Sequence, residues 1–197
     1  MDITYRTARP EDAEAIARLD GSFTTHTVFE VVGGETGFSV REVPVDPPVR
    51  KVFPGDEAED GDEVENEDEG DAADTPDAVG GAAEGDERVF VALDGEAVCG
   101  FAAVTYAPWN RRVAIDDIEV SPAHRGRGIG RTLMEHAAGF ARERGAAHLW
   151  LEVSTVNAPA VHAYRSMGFA LCGLDTALYD GTASAGEQAL FMSRPCP

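Results

Sequence analysis

The chain has 197 residues, 43% of them hydrophobic, and its 36 Asp and Glu against 16 Lys and Arg leave a net charge of −20. That length suits one domain with a substantial core. The acidic balance argues against nucleic-acid and anionic-membrane partners, no apolar run approaches the roughly 18 residues of a membrane span, and the N-terminus lacks the charged-then-apolar layout of a signal peptide.

Ile3 to Ala8 alternates as a strand. Pro10 to Asp20 reads as a helix, with proline at its start and acids in its first turn. Gly21 to Gly37 is ambiguous; a second short helix with turns is one reading. Phe38 to Val45 alternates again, and Asp46-Pro47-Pro48 is expected to stop it. Gly55 to Glu87 then carries sixteen Asp or Glu, no Lys or Arg, and only six Ala and two Val as apolar side chains. Ordering each residue costs about 1–2 kcal/mol of backbone entropy, and this segment has little to bury in return. It is expected to be an acidic, disordered insert (55–87) between two parts of one domain, 1–54 and 88–197. Asp56 to Glu67 has acid, glycine and glutamate at EF-hand positions, but Ala58 stands at a ligand position and no amphipathic helices flank it, so calcium is not expected.

Arg88 to Ala107 reads as two strands turning at Asp94-Gly95. After a turn, Val113 to Val120 is a strand. Gly130 to Gly145 is a helix with Leu133, Ala137, Phe140 and Ala141 as its apolar stripe and Gly145 as its end. His148 to Val153 is a strand, Asn157 to Gly168 a short helix, and Phe169 to Leu174 and Gln188 to Ser193 the last strands. Helices mixed with strands of one sheet give an α/β (α+β) class. Cys99, Cys172 and Cys196 show no CxxC pair, which fits reduced thiols in a cytoplasmic protein. Cys99 and Cys172 read as core residues. The histidines show no metal spacing, so no metal is expected.

Two local features carry chemistry. In Val113 to Val120 the apolar positions slip from odd (Val113, Ile115) to even (Ile118, Val120). Strand side chains alternate with period two, so a β-bulge near Asp116-Asp117 would absorb the slip and free backbone groups for a ligand. The bland alternative is a strand that starts at Ile118. The second feature is Arg125 to Arg131, three glycines and three arginines around Ile129 at the start of a helix. Glycines there let the backbone approach a ligand, the helix start adds amide donors and partial positive charge, and arginines suit phosphate oxygens. The alternative is a glycine turn with basic surface residues.

Arg125-Gly126-Arg127-Gly128-Ile129-Gly130 resembles the pyrophosphate signature of the GNAT N-acetyltransferase superfamily, and it follows a bulged strand as in that family. Asn157 to Phe169 resembles its later motif, with Tyr164 seven residues after Asn157. The resemblance implies the GNAT fold: a mixed central sheet splayed at a β-bulge, with helices on both faces. Segments from Leu19 to Pro197, including Trp109 to Arg112 and His148 to Val153, further resemble the streptothricin (nourseothricin) acetyltransferases. That implies acetyl-CoA-dependent acetylation of an amine on the β-lysine moiety of a streptothricin-class antibiotic, conferring resistance. The alternatives are a GNAT enzyme for another amine, such as a polyamine or a protein lysine, and a non-catalytic acidic binding protein. Dimers are common in the superfamily, so a homodimer is an open expectation.

By this resemblance the backbone of Arg125, Gly126, Arg127, Gly128, Ile129 and Gly130, with Arg131, holds the pyrophosphate. Ile118, Glu119 and Val120 pair with the pantetheine arm, and Asn157 contacts it while capping its helix. The amine arrives as an ammonium with a pKa of about 10 and needs a base. Glu119 is the first expectation for that base, with Asp116, Asp117 and Glu152 as alternatives. Tyr164 is the expected acid for the thiolate, or an aromatic packing its helix on the sheet. Asp116, Asp117, Glu152 and Asp175 are expected to receive a small cationic amine, with Asp20, Glu42, Asp46 and Asp180 as further acids. Trp109 is expected either to cover a cation or to pack a hairpin tip.

Overall fold

The computed structural model describes residues 2–52 and 86–196. The acidic segment therefore lies outside the described residues, except for its last two. Those two belong to the folded domain. The Asp86 carbonyl accepts the Tyr106 N–H at 2.9 Å, its carboxylate pairs with Arg144 at 3.3 Å, and Glu87 opens a strand.

The strands are β1 (Ile3–Thr7), β2 (Phe23–Gly34), β3 (Gly37–Lys51), β4 (Glu87–Asp94), β5 (Ala97–Ala107), β6 (Arg112–Val120), β7 (His148–Ser154), β8 (Ala170–Asp175) and β9 (Ala189–Pro195). The helices are α1 (Ala13–Ala17), α2 (Ile129–Glu143) and α3 (Ala158–Ser166). Seven strands form one mixed sheet in the order β1-β4-β5-β6-β7-β9-β8. Only β6 and β7 are parallel neighbours in it. A second sheet is the β2-β3 ribbon, tied to the domain where the Phe29 N–H donates to the Thr155 carbonyl at 2.8 Å.

Both faces of the large sheet are covered. On one, α2 buries Leu133, Ala137, Phe140 and Ala141, the stripe read from its sequence, in a core with Val113, Ile115, Leu149 and Leu151. Full burial of a side chain such as Leu133 or Phe140 contributes about 1.5–3 kcal/mol. On the other face Leu19, beyond α1, packs with Val91, Leu93 and Phe101. Gly145 has φ +64°, the left-handed conformation that ends α2.

Three readings of the sequence change. Gly21 to Gly37 holds β2 rather than a helix; among its strand residues only Thr25 and Phe29 are buried, so it shows no two-residue alternation. Asp46-Pro47-Pro48 does not end β3. Thr27 faces Pro44 and Thr25 faces Val49, so the four residues 45–48 lie opposite His26 alone, in an irregularity where prolines lose no ladder bond. Cys172 is exposed, not core: Leu171 faces Met192 and Gly173 faces Phe191, which makes Cys172 the extra residue of a bulge.

The entry to α1 is fixed by a buried carboxylate. Asp12 accepts two hydrogen bonds from the Arg6 guanidinium, at 2.6 and 2.9 Å, and one from the Arg9 N–H at 2.6 Å. Arg6 is the main cause that lowers the Asp12 pKa to about 2. A depressed carboxyl pKa stabilises the fold above its unfolded value and loses that contribution as pH falls through the folded value. Asp12→Asn should therefore destabilise the protein at pH 7 by about 2 kcal/mol. In urea melts the deficit should shrink steadily below about pH 4; equal stability of the two proteins at pH 7 would contradict the assignment.

Candidate active site

β6 and β7 pair only over Arg112–Ile115 and His148–Leu151. At the next residue β6 bulges: Ile115 faces Val104 and Asp117 faces Ala103, leaving Asp116 as the extra residue. This is the bulge that the slip in apolar register predicted. Beyond it β6 remains bonded to β5, but its other edge has no strand beside it. β7 continues with β9 through Ser154. The two strands part, and a cleft of about 1010 Å³ opens between them. Its walls include Asp116 to Val120, Glu152 to Ser154, the start of α2, and Asn157 and Tyr164.

One half of the cleft has the chemistry to suit an anion. Gly126 and Gly128 have φ +75° and +82°, which side chains rarely adopt. Gly128 is the N-cap of α2, and no side chain caps the helix. The first helical bond runs from the Thr132 N–H to the Gly128 carbonyl at 3.1 Å. The amides of Ile129, Gly130 and Arg131 thus have no intrahelical acceptor, and these residues line the cleft. Together with the helix dipole they suit a phosphate group.

The arginines do less here than the sequence suggests. The Arg125 guanidinium donates to the carbonyls of Val120 (2.8 Å), Ser22 (2.6 Å) and Gly21 (3.0 Å). It ties the end of β6 to the chain ahead of β2. Arg127 lies 3.8 Å from Asp94. Arg131 lines the cleft and reaches the Ser166 hydroxyl at 3.1 Å. Asn157 caps α3 by accepting the Ala160 N–H at 3.1 Å, and it also lines the cleft.

Ile118 and Val120 pack against the main core, and Glu119 turns to the opposite side, as their alternation requires. The Glu119 carboxylate lies against Gly21; a Cβ on Gly21 would fall 2.4 Å from its Oε1.

The other half of the cleft is acidic. Asp116 accepts from the Thr105 hydroxyl at 2.6 Å. Asp116 and Asp117 are reached by solvent through the open cleft, yet surrounding protein displaces much of their water and pushes both pKa values up. Desolvation also raises Glu152, opposed by the hydrogen bond it accepts from the Tyr179 hydroxyl. Among the described residues no Lys or Arg pairs with Asp116, Asp117 or Glu152. The Tyr164 ring packs on Phe169 at 5.9 Å. Its phenol pKa is raised by burial first and then by the charges of Asp117 and Glu152.

The cleft gathers Asp116, Asp117, Glu119, Glu152 and Tyr164 from the sequence expectations. Asp175 is a correction: it accepts the Ala177 N–H at 2.8 Å in the turn after β8, and it does not line the cleft. Asp20, Glu42, Asp46 and Asp180 are likewise outside it, and Trp109 is 75% exposed with its side chain on neither a cation nor a core. The sequence missed Lys51, Tyr179 and Glu187, which do line it. They come from the end of β3 and the loop before β9, where no local pattern marks them. Among the described residues, no group of three His, Cys, Asp or Glu is placed to hold a metal ion, and no helix is long and apolar enough to cross a membrane.

Gly21→Ala should push the Glu119 carboxylate out of its place, because the added methyl has no room there. Because those atoms are the far end of a flexible side chain, the shift is cheap and the Tm should stay within a few degrees of the parent. A crystal structure of the variant with the Glu119 carboxylate in its original place would contradict the contact.

The acetyltransferase (GNAT) family model matches residues 53–169. The chain is 62% identical to the streptothricin acetyltransferase of Streptomyces lavendulae over 98% of its own length and 95% of that protein's. It is similar to the streptothricin acetyltransferase A of Bacillus subtilis at 35% identity, over 42% of this chain and 48% of that one. A crystal structure of nourseothricin acetyltransferase superposes over the whole of both chains with a TM-score of 0.83 and 56% identity. A structure from Bacillus anthracis, solved in complex with acetyl coenzyme A, shares the fold at a TM-score of 0.72 and 21% identity, over 99% of this chain and 98% of that one. The splayed sheet, the glycine-opened helix and these likenesses agree: the chain belongs to the acetyltransferase (GNAT) family.

Proposed function

We propose that this protein transfers an acetyl group from acetyl-CoA to an amine of the β-lysine moiety of a streptothricin-class antibiotic and so confers resistance to it. The likeness to the Streptomyces lavendulae enzyme over 98% of the chain carries this reading. The acidic half of the cleft supports a cationic acceptor over a neutral one, because Asp116, Asp117 and Glu152 have no basic partner among the described residues. An intact anion site argues against a purely non-catalytic role. Three free cysteines fit a reducing, cytoplasmic setting.

The amides of Ile129, Gly130 and Arg131 would receive the pyrophosphate, the edge of β6 at Ile118 to Val120, which has no strand beside it, the pantetheine arm, and Asn157 would flank it. When bound, acetyl-CoA supplies an acetyl group activated as a thioester. Placing both reactants in one cleft makes the attack effectively unimolecular. The sequence alone favours Glu119 as base, and the geometry favours Glu152. Glu119 is packed on Gly21, whereas Glu152 faces Tyr164 from the strand opposite the bulge. Desolvation raises its pKa towards that of the ammonium, which makes the proton transfer easier. Tyr164 holds its proton more tightly than a free phenol does. It suits a hydrogen-bond donor to the leaving sulfur better than a full proton donor to a thiol whose own pKa is about 8.5.

Protein, acetyl-CoA and streptothricin together should release free thiol; no release at micromolar enzyme would overturn the reading, and offering polyamines and lysine peptides instead tests the broader alternative. Glu152→Gln should lower kcat by about 100-fold with acetyl-CoA affinity unchanged. The parent's kcat/KM should rise with pH along a limb set by Glu152, above the ordinary carboxyl value of about 4.3, because the raised group must lose its proton before it can act as base. Glu152→Gln should lack that limb. Tyr164→Phe should reduce kcat more than acetyl-CoA affinity; the reverse pattern would assign Tyr164 to packing.

A further inference from the structure

Lys51 is the chain's only lysine and the last residue of β3. It is not at the surface: its side chain is 18% exposed and that of its partner Glu187 is 15% exposed. Its ammonium donates to Glu187 Oε1 and, at 2.8 Å, to the Ser184 hydroxyl. The other oxygen of Glu187 accepts from the Ser154 hydroxyl at the end of β7. One carboxylate therefore joins β3, β7 and the loop between β8 and β9.

That loop needs such an anchor. From Asp175 onward most of its hydrogen bonds close on itself: Asp180 N–H to Ala177 at 3.1 Å, Thr182 N–H to Tyr179 at 3.0 Å, Ala185 N–H to Thr182 at 3.1 Å and Glu187 N–H to Ser184 at 3.0 Å. Its backbone rejoins the sheet only at Gln188, whose carbonyl accepts the Thr155 N–H at 2.8 Å. Between those ends stands Tyr179, whose hydroxyl donates to the Glu152 carboxylate inside the cleft.

We propose that Lys51 is a positioning residue for the acceptor half of the cleft: its bonds to Glu187 and Ser184 hold the loop of residues 176–188 so that Tyr179 reaches Glu152. The proposal rests on the reading of Glu152 as the group that meets the acceptor amine. It concerns residues that touch neither the glycine turn nor the edge of β6 beyond its bulge. A displacement of about 1 Å in a group that orients a reactant costs on the order of 100-fold in rate, so a latch at this distance has leverage on the chemistry. It also has leverage on the proton. Glu152 is faced by Tyr179 and Glu187 from the loop, by Tyr164 from α3, and by Asp116 and Asp117 across the cleft. Lys51 is the one cation bonded to any of these acids among the described residues. Without it the bare Glu187 charge and the loss of the Tyr179 bond both favour protonated Glu152.

Lys51→Met and Lys51→Arg test this in the full-length protein. For Lys51→Met, the acceptor KM should rise or kcat fall by about tenfold or more, while the acetyl-CoA dissociation constant stays within about twofold. The acid limb of kcat/KM should move to higher pH, and hydrogen exchange of the 176–188 amides should quicken. Lys51→Arg should restore all three, since a guanidinium can bridge the same oxygens. An unchanged acid limb and acceptor KM in Lys51→Met would overturn the proposal, as would exchange that quickens throughout the domain rather than in the loop. The two readings fail separately. Absence of streptothricin acetylation by the parent protein would sink the acceptor assignment, while loop exchange in Lys51→Met would still decide whether the latch exists.

Discussion

Beyond Ile115 and Leu151 the hydrogen bonds between β6 and β7 stop, and the placement of the site follows from that interruption. A single extra residue, Asp116, turns β6 away from its parallel neighbour while β5 keeps hold of its other edge. The core does not suffer, because Val113, Ile115, Leu149 and Leu151 lie below the branch point and stay buried. Above it, one strand presents an edge with no strand beside it and the other presents Glu152. Packing α2 and α3 around the opening adds the amides of the glycine turn and the Tyr164 phenol. In the proposed reading, donor and acceptor then lie against opposite walls of one gap.

The charge arrangement across that gap is less symmetrical than the sequence implies. Three arginines around a glycine turn suggest a cationic cradle, but Arg125 is bound to three carbonyls and Arg127 lies near Asp94. The anion site relies mainly on neutral amides at an uncapped helix start. On the acceptor wall the reverse holds, with full negative charges that lack local cations. Arg125 serves instead to fix Gly21, and Gly21 in turn bounds Glu119. The family's arginine thus acts on the site's shape as well as its electrostatics.

Much of this was legible in the sequence where structure is local. The slip from Ile115 to Ile118 gave the bulge, the stripe from Leu133 to Ala141 gave α2, and Asn157 gave the cap of α3. β2 was hidden because it stands largely outside the core and buries too few side chains to print an alternation, whereas the Phe38 to Val45 stretch of its partner β3 does alternate in the sequence. Pro47 and Pro48 looked like a stop because a proline disrupts a regular ladder, and here the ladder is irregular at that point. Cys172 looked like core from its apolar neighbours, which a bulge reverses. Lys51 and Glu187 meet across 136 positions of chain and Tyr179 and Glu152 across 27, and no spacing rule reaches that far. Asp175 resembled its acidic neighbours but is used to close a turn.

Burial holds the Asp116, Asp117 and Glu152 carboxyls above their ordinary values, so as pH rises the cleft gives up these protons later than surface carboxyls would. A cation that enters lowers the affinity of each group for its proton, so ligand and proton compete for the same oxygens. The linkage acts only where these carboxyls titrate: as pH falls through their raised values, a bound cation is exchanged for protons and its affinity weakens.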